Sequence, residues 1–487
     1  MSRRGTTPMH VLIAGGGLAG LAAAKYLADA GHQVTVVEKR AAAGGKVSSW
    51  QDAEGDWLES GLHVFFGAYR NLHRLFRETG LAANLDWKAH EMTFSRPGGW
   101  LSPLRFARGL PAPAHGLVAI ARNRGVLTLP DKLRVGYGLL WPIAGNQAWI
   151  DAQDRYTYAQ WHLRHRMGRR ALGDFFDTMA LALNFDTTER VSAKLVLTVL
   201  SHFAKETDAS RVAFLRGTPQ RRLFEPFLAY LARRGVRFIP NSKVARIEYD
   251  VLTNRVTGFR MTGGDLLQAD CYVSAMPVHN LWKTLPEALR AQAPFANLRH
   301  LHGQPVMTVQ LYFDRPVIGV DNLIFSSGTH LSVYAELSRC AADLREGTTG
   351  RHMVEMVVAP AAEWYRLDDA DVTRRTLAEL TQLHPQAAQA RLLKSTLVRI
   401  PQSVYRARPG QDRYRPDQAT PVPNFYLCGD YTRQEYLASM EGAVLSGKRV
   451  AERILAGTGV EVGPGAGARW GLAGGAPLAE YAAVAGR

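Results

Sequence analysis

The sequence predicts an α/β fold, and two stretches at opposite ends of the chain predict it. The first is a β-α-β unit in which 10–14 reads as a short buried strand, Gly15 to Gly17 as a turn, 18–30 as an Ala- and Leu-rich helix stopped by Gly31, and 33–38 as a second strand. The second is a late strand, 424–428, which runs into Gly429-Asp430 and is followed by a helix over 440–455. With 487 residues, 46% of them hydrophobic and 21% charged, the chain is long enough for about three domain-sized units with a large core. That balance excludes a disulfide-stapled scaffold and wholesale disorder.

The first turn carries Gly15-x-Gly17-x-x-Gly20, and the second strand ends on the acid Glu38. This is the spacing of a Rossmann-type dinucleotide-binding unit. The glycines let a pyrophosphate approach the backbone at the positive end of the helix dipole, while Glu38 can accept hydrogen bonds from ribose hydroxyls. Gly44-Gly45-Lys46 follows too soon to be another strand, and Lys46 places a cation where a diphosphate would lie. The late helix, opening at Met440 and Glu441, brings a second helix N-terminus that can face the same ligand.

Between these ends, 236–249, Arg255–Met261 and 266–275 read as strands, the last two joined by Gly263-Gly264-Asp265, with Pro277 as the breaker. A further set of strands is expected at 305–313, 353–358 and 393–400, with a helix over 368–383 between the last two. Helical periodicity dominates 131–203, including 174–185 and 192–204, and 457–487 reads as a loosely ordered Gly/Ala-rich tail.

The formal net charge is +16, and its placement is uneven. Residues 96–170 hold eleven arginines and one lysine against Asp131, Asp151 and Asp154, interleaved with Trp100, Phe106, Trp141, Ile143 and Trp149. Basic and aromatic residues together suit an anionic membrane surface or nucleic acid, a solvated basic face being the plain alternative. No run of about 18 apolar residues offers a spanning helix, and no secretory signal is expected. Cys271, Cys340 and Cys428 are spaced for neither a disulfide framework nor a metal site and are expected to be reduced.

The fingerprint, Glu38-Lys39-Arg40, Gly44-Gly45-Lys46 and the late Gly429-Asp430 before a helix together resemble the FAD-dependent amine oxidases and carotenoid desaturases. Longer blocks narrow the likeness. Gly61-Leu62-His63-Val64-Phe65-Phe66-Gly67-Ala68-Tyr69, Ala182-Leu183-Asn184-Phe185, Leu331-Ser332-Val333-Tyr334-Ala335 and the stretch from Tyr436 through Ala438 and Met440 to Gly447 are similar to the plant- and cyanobacterial-type phytoene desaturases. The related ζ-carotene desaturases share many of these blocks, and Thr207-Asp208-Ala209-Ser210 and Arg415-Pro416-Asp417-Gln418 look more like theirs.

The resemblance implies a discontinuous Rossmann-type FAD-binding domain, built from 9–95, 211–290 and 415–456. Into it is inserted an α+β substrate domain, with a helical membrane-facing part over 96–210 and a sheet part over 291–414. It implies FAD as cofactor, a carotene as substrate, a quinone as electron acceptor and peripheral attachment to the cytoplasmic side of a membrane. A homo-oligomer is compatible with it, whereas nucleic acid and metal have no role. Gly15, Gly17, Ala19, Gly20, Glu38, Lys39, Gly45 and Lys46 are expected around the adenosine and diphosphate. His63, Val64 and Tyr69 are expected along the ribityl chain and flavin, and Val244 at the adenine through its backbone. Asp430 is expected at the ribityl or diphosphate part and Met440 at the flavin carbonyl edge.

Ala438 and His202 are expected to face the substrate. At His202 the sequence departs from the resemblance, because plant-type phytoene desaturases carry Arg at the matching position. Arg is permanently charged, whereas an unperturbed His titrates near pH 6.5. No catalytic triad spacing is present, and desaturation needs none, because the flavin takes the hydride while the protein orients an apolar chain over it. An amine oxidase would instead present a polar aromatic cage, and a nucleotide-binding membrane adaptor would lack a reducible flavin.

Overall fold

The computed structural model describes residues 8–347, 350–436 and 438–457. The tail expected over 457–487 therefore lies outside the described residues, apart from its first residue, which ends the last helix. A five-stranded sheet organises the nucleotide-binding half, in the order Arg237–Ile239, Gln33–Val37, His10–Ala14, Cys271–Ser274, Phe425–Leu427, with every neighbouring pair parallel. Its central strands are buried on both faces, which is why they read as continuous apolar runs and not as alternation. The first helix, Leu18–Asp29, packs along the last, Met440–Gly457, although the two are separated by most of the chain. Gly447 permits this approach, since a Cβ there would run into the Ala19 carbonyl oxygen.

The second half centres on a seven-stranded sheet, in the order Leu392–Ile400, Val306–Phe313, His352–Val358, Leu331–Glu336, Ile324–Ser326, Glu91–Arg96, Trp100–Arg105. All its pairings are antiparallel except Ile324–Ser326 with Glu91–Arg96. Here the structure corrects the expected start of the helical part at residue 96. Gly98 and Gly99, with φ of +90° and +74°, turn the chain back, so that Trp100–Arg105 forms an edge strand with Pro103 tolerated there. The helices begin afterwards, with Ala114–Arg122 and Leu129–Ala144, the latter opened by a capping box between Thr128 and Asp131.

Two expected strands prove to be pairs of strands. Residues 236–249 break at Pro240-Asn241, where Asn241 takes φ +53°, so Arg237–Ile239 joins the five-stranded sheet while Val244–Asp250 joins Arg255–Met261 and Leu266–Leu267 in a separate antiparallel sheet. Residues 266–275 break at Asp270, whose carboxylate accepts from the His10 amide at 2.8 Å and steers the chain back beside the first strand. The helix expected over 174–185 opens with a π-helical turn, Leu172–Phe176, before Asp177–Asn184. Its neighbour Ala193–Lys205 is capped by the Ser192 hydroxyl, which accepts from the Lys194 amide. Periodicity alone missed the short pairings of Ser49–Gln51 with Trp57–Glu59 and of Val212–Leu215 with Phe65–Phe66 and Leu85–Trp87. Strands of two to four residues are too short to show a period.

Candidate active site

A cavity of about 1350 Å³ runs from the first β-α turn to the helical part. Its wall collects Gly15, Gly17, Ala19, Glu38, Lys39, Gly45, Lys46, His63, Val64, Tyr69, Val244, Asp430 and Met440, together with His202 and Ala438. Gly20 stands apart from them. It lies behind the turn, where a Cβ would run into the Gly15 carbonyl and reach 3.0 Å from the Ala275 Cβ, so its smallness serves helix–strand packing.

At the nucleotide end, Gly15 takes φ +119°, a conformation suited to glycine. The first helix has no side-chain cap at Gly17, and a Cβ there would meet nothing nearer than Gly45 Cα at 3.7 Å. Open space over uncapped helix amides is what an anionic diphosphate requires, and a dinucleotide cofactor fits it. Glu38 is buried, with Oε2 accepting from the Gly16 amide at 2.8 Å and Oε1 from the Arg40 amide at 3.0 Å. The backbone thus fixes the carboxylate while lone pairs remain for ribose hydroxyls.

Lys46 is not the free cation that its place in the sequence suggests. Its ammonium lies 2.9 and 2.8 Å from the two carboxylate oxygens of Asp430, which also accepts from the Tyr405 amide at 3.1 Å. The pair joins the two ends of the chain at mid-cavity and lowers the positive potential there.

Two residues that hold this region carried no sign in the sequence of doing so. Arg415, 1% exposed, donates to the carbonyls of Tyr431 and Gln434 at 3.2 Å, of Asp430 at 3.3 Å and of Thr432, and to the Asp412 carboxylate at 2.9 Å. It therefore shapes the loop that presents Asp430. Glu441, in the first turn of the last helix, accepts from the Asn71 amide at 2.9 Å, the Asn71 side chain at 2.7 Å and the Leu72 amide at 2.8 Å. It satisfies the open first turn of another helix, Arg70–Thr79. A buried Arg or Glu reads in sequence as an ordinary surface charge.

The far end of the cavity is apolar, lined by Leu62, Phe66, Leu183, Phe185, Leu195, Val199 and Phe203. His202 stacks on Tyr436 with ring centroids 4.9 Å apart, and its Nδ1 lies 2.8 Å from Glu206, which in turn accepts from Arg70 at 2.8 Å. Asn184 of the neighbouring helix is structural, donating to the Tyr405 carbonyl and accepting from the Ala407 amide. Between the two ends, His63 Nδ1 lies 3.3 Å from Glu59 Oε2, and its Nε2 lies 3.2 Å from the Lys46 carbonyl.

Arg415→Lys is expected to lower stability by about 3 kcal/mol, because a single ammonium cannot serve these divergent acceptors and leaves buried carbonyls unpaired. Denaturant unfolding of the two proteins measures the difference, and a loss within about 0.5 kcal/mol would assign the loop's shape to other contacts.

Comparison with known proteins agrees with this geometry. The chain matches the family described as flavin containing amine oxidoreductase over residues 18–455. It is 43% identical over 458 residues to a 15-cis-phytoene desaturase of Synechococcus elongatus, covering 92% of this chain and 96% of that one. A probable zeta-carotene desaturase of the same organism is 37% identical over 477 residues, covering 92% and 98%. Among solved structures, an oxidoreductase from Methanosarcina mazei superposes with TM-score 0.70 at 17% identity, covering 91% of this chain and all of that one. Putrescine oxidase bound to putrescine superposes with TM-score 0.66 at 19% identity, covering 93% and 100%. The uncapped glycine turn, the fixed Glu38 and the family match over nearly the whole chain lead to one conclusion: this chain belongs to the flavin containing amine oxidoreductase family and is an oxidoreductase whose cofactor is FAD.

Proposed function

We propose that this protein is a carotene desaturase that dehydrogenates a long-chain polyene, 15-cis-phytoene towards ζ-carotene, by hydride transfer to FAD with a quinone as electron acceptor. The observation that carries this reading is one cavity with two chemistries, a helix N-terminus with a fixed acid at one end and a mainly apolar chamber at the other. A forty-carbon hydrocarbon has almost no polar handle, so such a chamber must hold it by shape and apolar contact. The curated relatives bearing the phytoene desaturase name support the substrate class.

In this reading the FAD-binding domain is discontinuous over 9–90, 211–290 and 415–456, its first segment ending before the hairpin from Glu91 to Arg105, which belongs to the substrate sheet. The glycine turn and first helix hold the diphosphate, and Glu38 takes the ribose. The Val244 backbone meets the adenine, and the Lys46–Asp430 pair lies beside the ribityl chain. His63, Val64, Tyr69 and Met440 border the ring, where the start of the last helix stabilises negative charge. When bound, the flavin supplies the hydride acceptor. The apolar wall excludes water and aligns one carbon–carbon bond with it. Dehydrogenation of ζ-carotene is the second reading, favoured by the 37% identical relative.

Peripheral membrane attachment belongs to the same proposal. No helix among the described residues is long and apolar enough to cross a membrane. The helix Leu129–Ala144, however, leaves Leu129 and Leu133 70% and 69% exposed, with Tyr137, Leu140 and Trp141 exposed in the same series at helical spacing. Arg122, Arg124 and Arg134 are exposed near them. Apolar anchors among cations suit an anionic lipid surface. Trp149, expected among these anchors, is half-buried and packs edge-on against Trp161, so it contributes to the core.

Expression in a carotene-producing host tests the substrate. A strain accumulating phytoene is expected to convert it, and conversion only in a strain accumulating ζ-carotene would establish the second reading. Gly17→Val is expected to abolish FAD uptake with folding retained, because Gly17 faces open space; retained flavin absorbance would move the diphosphate elsewhere. Cosedimentation with anionic vesicles is expected to fall with salt and with Leu133→Ser/Trp141→Ala, and an undiminished pellet would refute this face. At the apolar end, His202→Ala is expected to slow quinone-dependent reoxidation more than it weakens FAD binding, with His202→Arg restoring part of it. Unchanged turnover with several quinones would leave His202 structural.

A further inference from the structure

Three titratable side chains meet at the cavity wall, and two of them, Glu59 and Glu355, have no part in the reading above. Glu59 ends the strand Trp57–Glu59, Glu355 lies within His352–Val358, and they are 6% and 0% exposed. His63 stands in the wall between them and the cavity, bonded to Glu59 through Nδ1 and to the Lys46 carbonyl through Nε2. A carbonyl can only accept, so Nε2 carries its hydrogen and Nδ1 is the atom that shares a proton with Glu59.

Among the described residues neither carboxyl is paired with a Lys or Arg, and the Lys46 ammonium is held on Asp430. Glu355 Oε2 accepts from the Gln310 amide at 3.3 Å, but Glu355 Oε1 and the Thr308 hydroxyl have no hydrogen-bond partner among the described residues. Thr308 is in the cavity wall, and a Cβ built on Gly61 would lie 3.8 Å from both the Thr308 hydroxyl and His63 Nε2. The unpartnered hydroxyl and the imidazole therefore flank one spot of the wall. Buried acids without a counter-charge and orphaned polar atoms both cost stability, and packing gives no reason for them.

We propose, resting on the flavin reading above, that Glu59, His63 and Glu355 form one buried site that accepts the proton released when the substrate is dehydrogenated. One C–H bond of the saturated pair breaks with its electron pair leaving as hydride to the flavin. On the neighbouring carbon the C–H electrons become the new π bond. The proton from that carbon enters this site and rests between Glu59 Oε2 and His63 Nδ1. Reoxidation by a quinone consumes one hydride and one proton, and the site returns the proton at that stage.

Burial pushes the Glu59 and Glu355 carboxyls up to about 8, with the Glu59 charge adding to the effect on Glu355, and draws the His63 imidazole below its usual range. Tyr312, the other titratable group facing Glu355, is held neutral by burial, and its hydroxyl donates to the Trp57 carbonyl. Lys46 meets His63 through its carbonyl alone. A group whose proton affinity lies near the working pH can both take and return a proton.

The test uses FAD-loaded protein with phytoene in vesicles and follows flavin bleaching in a single turnover. The wild-type rate is expected to rise with pH through about 8, as the accepting carboxylate forms. Glu59→Gln is expected to slow bleaching by substrate about 100-fold while leaving reduction by dithionite unchanged. Infrared difference spectra across the same pH range should show a protonated carboxyl band that Glu59→Gln and Glu355→Gln each diminish, a readout independent of turnover. Should Glu59→Gln fail to fold, Glu355→Gln carries both measurements. Folded variants that bleach at the wild-type rate, or a wild type without the carboxyl band, would overturn the proton site alone. A wild type that takes up no FAD would overturn the flavin reading and this proposal with it.

Discussion

The contact on which the site depends is the packing of the first helix along the last. Gly447 has no side chain to hold the two backbones apart, and Ala19, Ala22 and Ala23 present an equally shallow surface to it. Both helices are consequently brought close with their N-termini at one cavity, so two dipoles from opposite ends of the chain act on the same volume. Several bonds depend on that approach. Gly429 donates to Ser446, Glu441 closes the open turn of Arg70–Thr79, and Lys46 meets Asp430 across 384 residues of sequence. A larger residue at 447 would disturb all of them, since each needs the last helix at its present depth.

The cavity this packing creates has an ordered polarity. Positive potential at the nucleotide end comes from oriented backbone together with Lys39, Arg40, Lys243 and Lys283 of the wall, while Lys46 is neutralised by its aspartate. Backbone dipoles cannot titrate, so that end keeps its character across pH. The middle is where protons can be held, on acids that the fold strips of water and leaves without cations. The far end offers mainly hydrocarbon contact, with His202 and Tyr436 as its polar groups. Such a sequence of environments suits a reaction in which charge develops on the cofactor while the substrate remains apolar throughout.

The two sheets divide the work of holding these environments. The parallel sheet, covered on both faces, ends its strands at the glycine turn and at Gly429-Asp430, where ligands bind in folds of this kind. The antiparallel sheet turns one face of Val306–Phe313 and His352–Val358 to the cavity, placing Thr308 and Val357 in the wall with Gln310 and Glu355 behind them. Period-two alternation makes this arrangement rigid, since slipping the register by one residue would exchange the polar row for its apolar neighbours.

What the sequence determined by itself was whatever local chemistry dictates. The glycine spacing, the acid after the second strand, the helix starts and the apolar runs of the central strands are consequences of backbone sterics and short-range burial, legible within a few dozen residues. The site residues named from sequence, Gly20 excepted, do lie in the cavity wall, because blocks such as His63 to Tyr69 carry them together. The tertiary structure alone decided which charges are free and which are buried. Lys46 could not be seen to pair with Asp430, nor Arg415 to turn inward on five oxygens, nor Glu59 and Glu355 to share one dry corner with His63. The ends of 236–249 and 266–275, and Trp149's turn inward, were settled in the same way. The reason is common to all of them: a side chain's charge and direction take their value from neighbours brought beside it by long-range packing, and that neighbourhood is a property of the folded chain.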